Sequence, residues 1–168
     1  MEKYFKSAGR KVSVDTILNY LSYCEEAFST YPLKSRDMRS KKFLAANDKY
    51  YIFDHGLRLP LLANPLKDIE LILKNIVFME SIRRSYRVCV GKANGREIDF
   101  VLYKGDEAIY IQVAYILANE SAIEREFGVY NLIQDNFKKY VVSMDKADFS
   151  QSRIIHKNIE EFLEMEEW

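Results

Sequence analysis

The sequence predicts an α/β chain of the mixed, α+β kind, and three observations carry that. Apolar residues repeat every three or four positions in some stretches, and form short β-branched runs closed by Gly or Asn turns in others. Over the C-terminal two-thirds these stretches follow in the order helix, three strands, helix, two strands, helix, which makes a mixed sheet covered on both faces. The 168 residues, 48% hydrophobic and 30% charged, are globular in composition and numerous enough to bury a core.

Ser13 suits a helix N-cap, and Asp15 in the first turn favours the positive end of the helix dipole. Behind them Ile17, Leu21, Cys24 and Phe28 form one apolar stripe, entered from Ala8-Gly9-Arg10-Lys11. Tyr31-Pro32-Leu33 opens an extended stretch loaded with Lys34, Arg36, Arg39, Lys41 and Lys42. A second strand, Lys49 to Phe53, follows the turn-prone Asn47-Asp48. A helix followed by a basic hairpin is the plan of a winged helix, expected over residues 1–59. If DNA is the partner, Arg10, Lys11, Arg36, Arg39, Lys41 and Lys42 meet its phosphates. Residues 1–59 hold 11 Lys/Arg against 7 Asp/Glu, a surplus modest enough that a packing or linking role competes with DNA contact.

Residues 60–168 form the second expected unit, acidic by 18 to 14. Asn64-Pro65 breaks the chain before a helix from about Asp68 to Arg84, with Ile69, Ile72, Leu73, Ile76 and Met79 as its buried face. Three strands follow, 86–90, 97–103 and 108–115, joined by turns at Asn94-Gly95 and Gly105-Asp106. A helix from Glu120 to Ile133 leads to strands 140–144 and 154–156. Asn158 then caps a short helix that turns Ile159, Phe162 and Leu163 inward.

Several classes are excluded or unsupported. No apolar run approaches the ~20 residues that span a bilayer, and the N-terminus lacks an apolar signal core, so a cytoplasmic protein with no membrane partner is expected. Cys24 and Cys89 stand far apart, His55 and His156 likewise, so neither a disulfide nor a zinc site is indicated. Ser143 and Ser150 have no His in a recognisable hydrolase motif.

The order αβββαββα, with an acidic residue on the second strand, resembles the core of PD-(D/E)XK nucleases. The blocks "EIDFV…IQVAY…EREFG…YVVSMD" resemble more closely a domain of unknown function that follows the ATPase core of certain archaeal and bacterial AAA-type ATPases. "GRKVSVDTILNYLSYCEEAFSTYPLKSRD" and "ANDKYYIFDHGLR" are similar to the winged-helix stretch between those two parts. The resemblance covers nearly the whole chain and implies an upstream ATPase module, the natural partner beside a second copy of the chain. No G-x-x-x-x-G-K-[ST] occurs here, so ATP binding is expected only in that module. Met1 is accordingly expected to open a fragment or a truncated gene product.

The resemblance also implies a place for metal-dependent phosphodiester cleavage, where carboxylates hold Mg²⁺ and a Lys positions water. Nucleases of this fold take an Asp from the second strand and a Glu and Lys two apart from the third; many add a Glu from the first helix. Here Asp99 fills the first role and would be the metal ligand, with Glu97 on the same face about 6.8 Å along the strand. Gln112 and Ala114 stand where Glu and Lys would be. Lys74 sits where related sequences carry Glu, and Glu80 lies nearly two turns further on. With the acid and Lys of the third strand absent, the expected function is a non-catalytic module binding protein or nucleic acid, needing no cofactor of its own. A degenerate Mg²⁺-dependent nuclease and a structural part that sets ATPase assembly are the alternatives.

Overall fold

The structure is a computed structural model that describes residues 12–44, 48–54, 56 and 68–168. Helix α1, Val14–Glu26, begins as expected, with Ser13 Oγ accepting from the Thr16 N–H at 3.1 Å. None of its residues is buried. Its expected stripe is only half-covered at Ile17, Leu21 and Cys24, and Phe28 lies beyond the helix at φ 53°, largely exposed.

The basic stretch read as a wing divides. Strand β1, Thr30–Leu33, pairs antiparallel with β3, Lys49–Ile52, in a small two-stranded sheet. Strand β2, Ser35–Asp37, leaves that pair and joins the main sheet in parallel with β4, Arg87–Ala93. Tyr51 of β3 stacks on Phe78 with ring centroids 4.5 Å apart, inside the main core. Packing therefore crosses the boundary expected at 59/60, which itself falls outside the described residues. A free-standing unit over 1–59 gives way to a basic segment used as one edge of the central sheet.

Helix α2, Ile69–Arg83, leads into β4. Its buried residues are Leu73, Asn75, Val77, Phe78 and Ser81, so of the five positions expected inward only Leu73 is buried. The helix carries apolar residues nearly all round, which leaves its phase to tertiary contacts. Asn75 sets it: its side chain both accepts from Ile52 N and donates to Ile52 O, locking α2 to β3.

Strands β4, β5 (Arg96–Lys104) and β6 (Glu107–Val113) form an antiparallel meander. Asn94 and Gly95, with φ 48° and 79°, make the first turn, since both central positions of a type I′ turn need positive φ. Helix α3, Glu120–Phe127, is shorter than expected because residues Gly128–Leu132 tighten into a 3-10 helix. Strands β7, Lys138–Ser143, and β8, Ile154–Asn158, then add in parallel, and Asn158 caps α4, Ile159–Glu164. The sheet order is β2-β4-β5-β6-β7-β8. Helices α2 and α4 cover one face over Phe100, Leu102, Ile111 and Tyr140. Helix α3 and the 3-10 helix cover the other over Val101, Tyr110, Val141 and Ile154. This is an α+β fold built on a six-stranded mixed sheet. Among the described residues no helix is long and apolar enough to cross a membrane.

Candidate functional site

A bulge opens the site. Between the pairs Cys89↔Val101 and Gly91↔Ile98, β5 advances three residues while β4 advances two. The extra residue breaks the alternation of faces, so Ile98 packs with Val101 on one face while Phe100 and Leu102 stay on the other. It also ends the β5–β6 ladder at Phe100↔Ile111. Beyond that point two backbone donors would be orphaned inside the protein, and side chains satisfy them. The Asp99 N–H donates to Gln112 Oε1 at 3.1 Å, and the Val113 N–H donates to Asp99 Oδ2 at 3.0 Å.

The cleft where β5 and β6 part holds about 320 Å³. Asp99 and Gln112 form its floor, with Glu70 and Lys74 of α2 on one wall and Arg125 and Glu126 of α3 on the other. Four carboxylates line it, and each is matched by a cation of this chain. Lys74 Nζ lies 2.9 Å from Asp99 Oδ1 and 2.8 Å from Glu70. Glu97 is held between Lys49 and Lys92, and Glu126 meets Arg125 at 2.7 Å. Burial pulls the Lys74 ammonium towards neutrality, yet Asp99 and Glu70 outweigh it and raise its pKa above the ordinary lysine value. Lys74 is therefore a fixed positive charge.

Of the residues expected from sequence, the fold brings Asp99, Glu97 and Gln112 into one cleft. Glu80 is not with them. It lies near the C-terminal end of α2, accepting from Arg83 at 2.6 Å and Arg84 at 2.7 Å. Arg36 lies on β2, and Arg39, Lys41 and Lys42 follow it; Arg10 and Lys11 lie outside the described residues. Ala114 is buried against the α3 face.

A divalent cation fits this cleft poorly. One oxygen of Asp99 accepts from Val113 N–H and the other faces the Lys74 ammonium, so a metal here would meet a fixed positive charge. Gln112 directs its carbonyl oxygen, the atom a hard cation would need, at the Asp99 amide. Among the described residues no group of three or more His, Cys, Asp or Glu is arranged to hold a metal.

Sequence reasoning missed the cation partners, although two signals were there. Glu70 and Lys74 stand four apart on a helix, and Lys92 and Glu97 flank a hairpin turn at cross-strand positions. Lys49 gave none, since its contact needs β3 to dock.

Sequence also gave no hint that Ser143, His156 and Asp145 meet. Ser143 Oγ lies 2.9 Å from His156 Nε2 and donates to Asp145 Oδ2 at 2.8 Å. The polarity is wrong for a nucleophile. His156 Nδ1 accepts from the Phe149 N–H at 3.4 Å, which puts the imidazole proton on Nε2, where it donates to Ser143. The ring cannot then take the serine proton, and Ser143 is fully buried. This trio is a structural tie.

The fold and cleft thus define an α+β domain with a charged, internally paired cleft at the parting of two strands. The chain is 41% identical over 128 residues to an uncharacterized protein of Haemophilus influenzae, a match covering 76% of this chain and 31% of that protein. It is 28% identical over 161 residues to the uncharacterized protein MJ1544 of Methanocaldococcus jannaschii, covering 90% of this chain and 35% of that one. The chain spans about a third of the length of these curated relatives. No family model and no solved structure matches.

Proposed function

We propose that this chain is a non-catalytic interaction module, the accessory region of a longer AAA-type ATPase working in the cytoplasm. The pairing of all four cleft carboxylates with the chain's own cations carries the non-catalytic part, with Lys74 standing against the oxygen that a metal would use. Breaking such a pair to admit a metal would leave the largely buried Lys74 with Glu70 as its one remaining counter-charge in the cleft.

Two further observations support an accessory role. The chain corresponds to about a third of its relatives, leaving room in them for another module. Helix α1 buries none of its residues and holds Val14, Leu18, Tyr20 and Tyr23 in solvent, an apolar surface suited to docking.

The test incubates the chain with single-stranded, duplex and branched DNA and Mg²⁺ or Mn²⁺. No cleavage above a mock preparation is expected. Cleavage abolished by Asp99→Ala, and also by the gentler Glu97→Gln, would overturn the reading. Sequencing upstream of the Met1 codon tests the ATPase half: an in-frame P-loop supports it, and a stop codon there with no P-loop counts against it.

A further inference from the structure

A second hollow lies away from the Asp99 cleft, on the α3 side of the sheet, and holds about 580 Å³. That is within the ordinary range for a small-molecule site. Its floor is aromatic, with Tyr103 of β5 and Phe137 just before β7, the latter 40% exposed. Its rim is basic, with Arg36, Arg39 and Lys41 from β2 and the loop after it.

Two features make this more than a dent. The Arg36 guanidinium is held in place, 4.9 Å from the Tyr103 ring centroid and 5.7 Å from that of Phe43, while its Nε donates to Lys41 O at 3.0 Å. Fixing an arginine this way removes most of the entropy it would lose on meeting an anion. Lys41 has φ 58°, where a residue bearing a Cβ is strained and glycine would fit. The loop therefore carries this lysine at a conformational cost, as the described chain does at five other non-glycine positions. The acid opposite is also committed, since Asp135 accepts from Tyr110 OH at 2.6 Å and meets Lys139 at 3.1 Å. The rim keeps an excess of positive charge, with Asp106 its one other acid.

We infer that this cavity binds a nucleotide unit, a base resting on Phe137 with its phosphate against Arg36, Arg39 and Lys41. The inference deepens the interaction-module reading and rests on it, by naming the partner as a nucleotide. Flat aromatic rings accept any base face, and the arginines supply paired donors for phosphate oxygens. A free nucleotide and a single-stranded end share this chemistry.

The test measures binding of the full chain to adenosine monophosphate by calorimetry, and to a labelled single-stranded oligonucleotide by anisotropy, at two salt concentrations. Arg39→Glu combined with Lys41→Gly should weaken whichever ligand binds at least tenfold. It should also flatten the salt dependence for the oligonucleotide by about 0.7 for each phosphate no longer neutralised. Because glycine relieves the positive φ, this variant should unfold no earlier than the parent, which separates weakened binding from impaired folding. Phe137→Ala should weaken binding about tenfold, the size of one base-stacking interaction. Lys146→Glu, a charge reversal beyond the C-terminal end of β7, should leave binding unchanged. Binding of the mononucleotide assigns the site to free nucleotides, and binding of the oligonucleotide alone assigns it to strand ends. Absence of both at low salt, or binding indifferent to the rim and Phe137 variants, would overturn the inference. DNA cleavage is a separate readout, so this result and the failure of the non-catalytic reading can be told apart.

Discussion

The Asp99 cleft and the cavity beneath the Lys41 loop use much the same residue types and end with opposite characters. In the cleft, Lys49, Lys74, Lys92 and Arg125 are spent on Glu70, Glu97, Asp99 and Glu126. In the cavity, Arg36 leans on aromatic rings, while Asp135 is taken up by Tyr110 and Lys139. A salt bridge cancels the field that would draw a ligand, whereas an arginine stacked on a ring keeps its charge. Counting charged residues in a hollow thus says little about what it binds. What decides is whether each charge already has an opposite one within reach.

The comparison breaks most sharply at Asp99. Asp99→Asn retains an oxygen for the Val113 amide but leaves the Lys74 ammonium facing a neutral group, with only the half-buried Glu70 to answer it. Losing one partner of a buried ion pair costs about 3 kcal/mol or more, read as an earlier midpoint in urea with an unchanged slope. Lys74→Met in the same chain should recover at least half of that loss. If the double variant is no more stable than Asp99→Asn, the cleft is not a self-neutralised unit.

A smaller effect tests the bulge that opens the cleft. A Cβ at Gly91 would lie 2.9 Å from Val101 Cγ2 and 3.1 Å from Ile98 Cβ, both buried side chains on the bulged strand. Gly91→Ala should cost about 2 kcal/mol by overpacking. Gly91 is the register partner of Arg36 on β2, so nucleotide affinity should fall along with stability. Affinity unchanged in a destabilised variant would mean that the bulge supports the cleft alone and not the sheet edge that carries Arg36.

The C-terminal strands were legible because their signals are local. β-Branched runs, the Asn94-Gly95 turn and the Asn158 cap each announce an element within a few residues. Asp99, Glu97 and Gln112 were placed together by the resemblance to a nuclease core, and the structure does bring them into one cleft. The basic segment could not be placed from local signals. That β2 pairs in parallel with β4, more than 50 residues on, is decided by the sheet edge it meets, and nothing near Arg36 records it. The inward face of α2 was ambiguous for a related reason: apolar residues on every side let Asn75 and β3 set its rotation. Glu80 was misplaced relative to the cleft through helix geometry. Six residues beyond Lys74, it sits far along the axis, where Arg83 and Arg84 claim it.

The gentlest test uses acid on the third polar group of the fold. His156 is buried, and burial lowers its pKa below the usual 6.5, against the opposing pull of Asp145, Asp148 and Glu161. The unfolded chain therefore takes up a proton at this residue before the folded one does. Its contribution to stability is complete above pH 6.5 and is lost as pH falls below that value towards the folded pKa. Asp37, Glu80 and Asp148 have lowered pKa values and act only at more acidic pH, which keeps the windows apart. Urea midpoints between pH 7 and 5 should fall for the parent chain and fall less for His156→Gln. A parent chain with flat stability over that interval would show that the ring is not a neutral donor to Ser143. A variant that declines as steeply as the parent would place the titrating group elsewhere. Lys74 of the Asp99 cleft, its pKa raised above the ordinary lysine value, keeps its charge across the whole interval, and that separates a tie through a neutral imidazole from a tie through fixed charge.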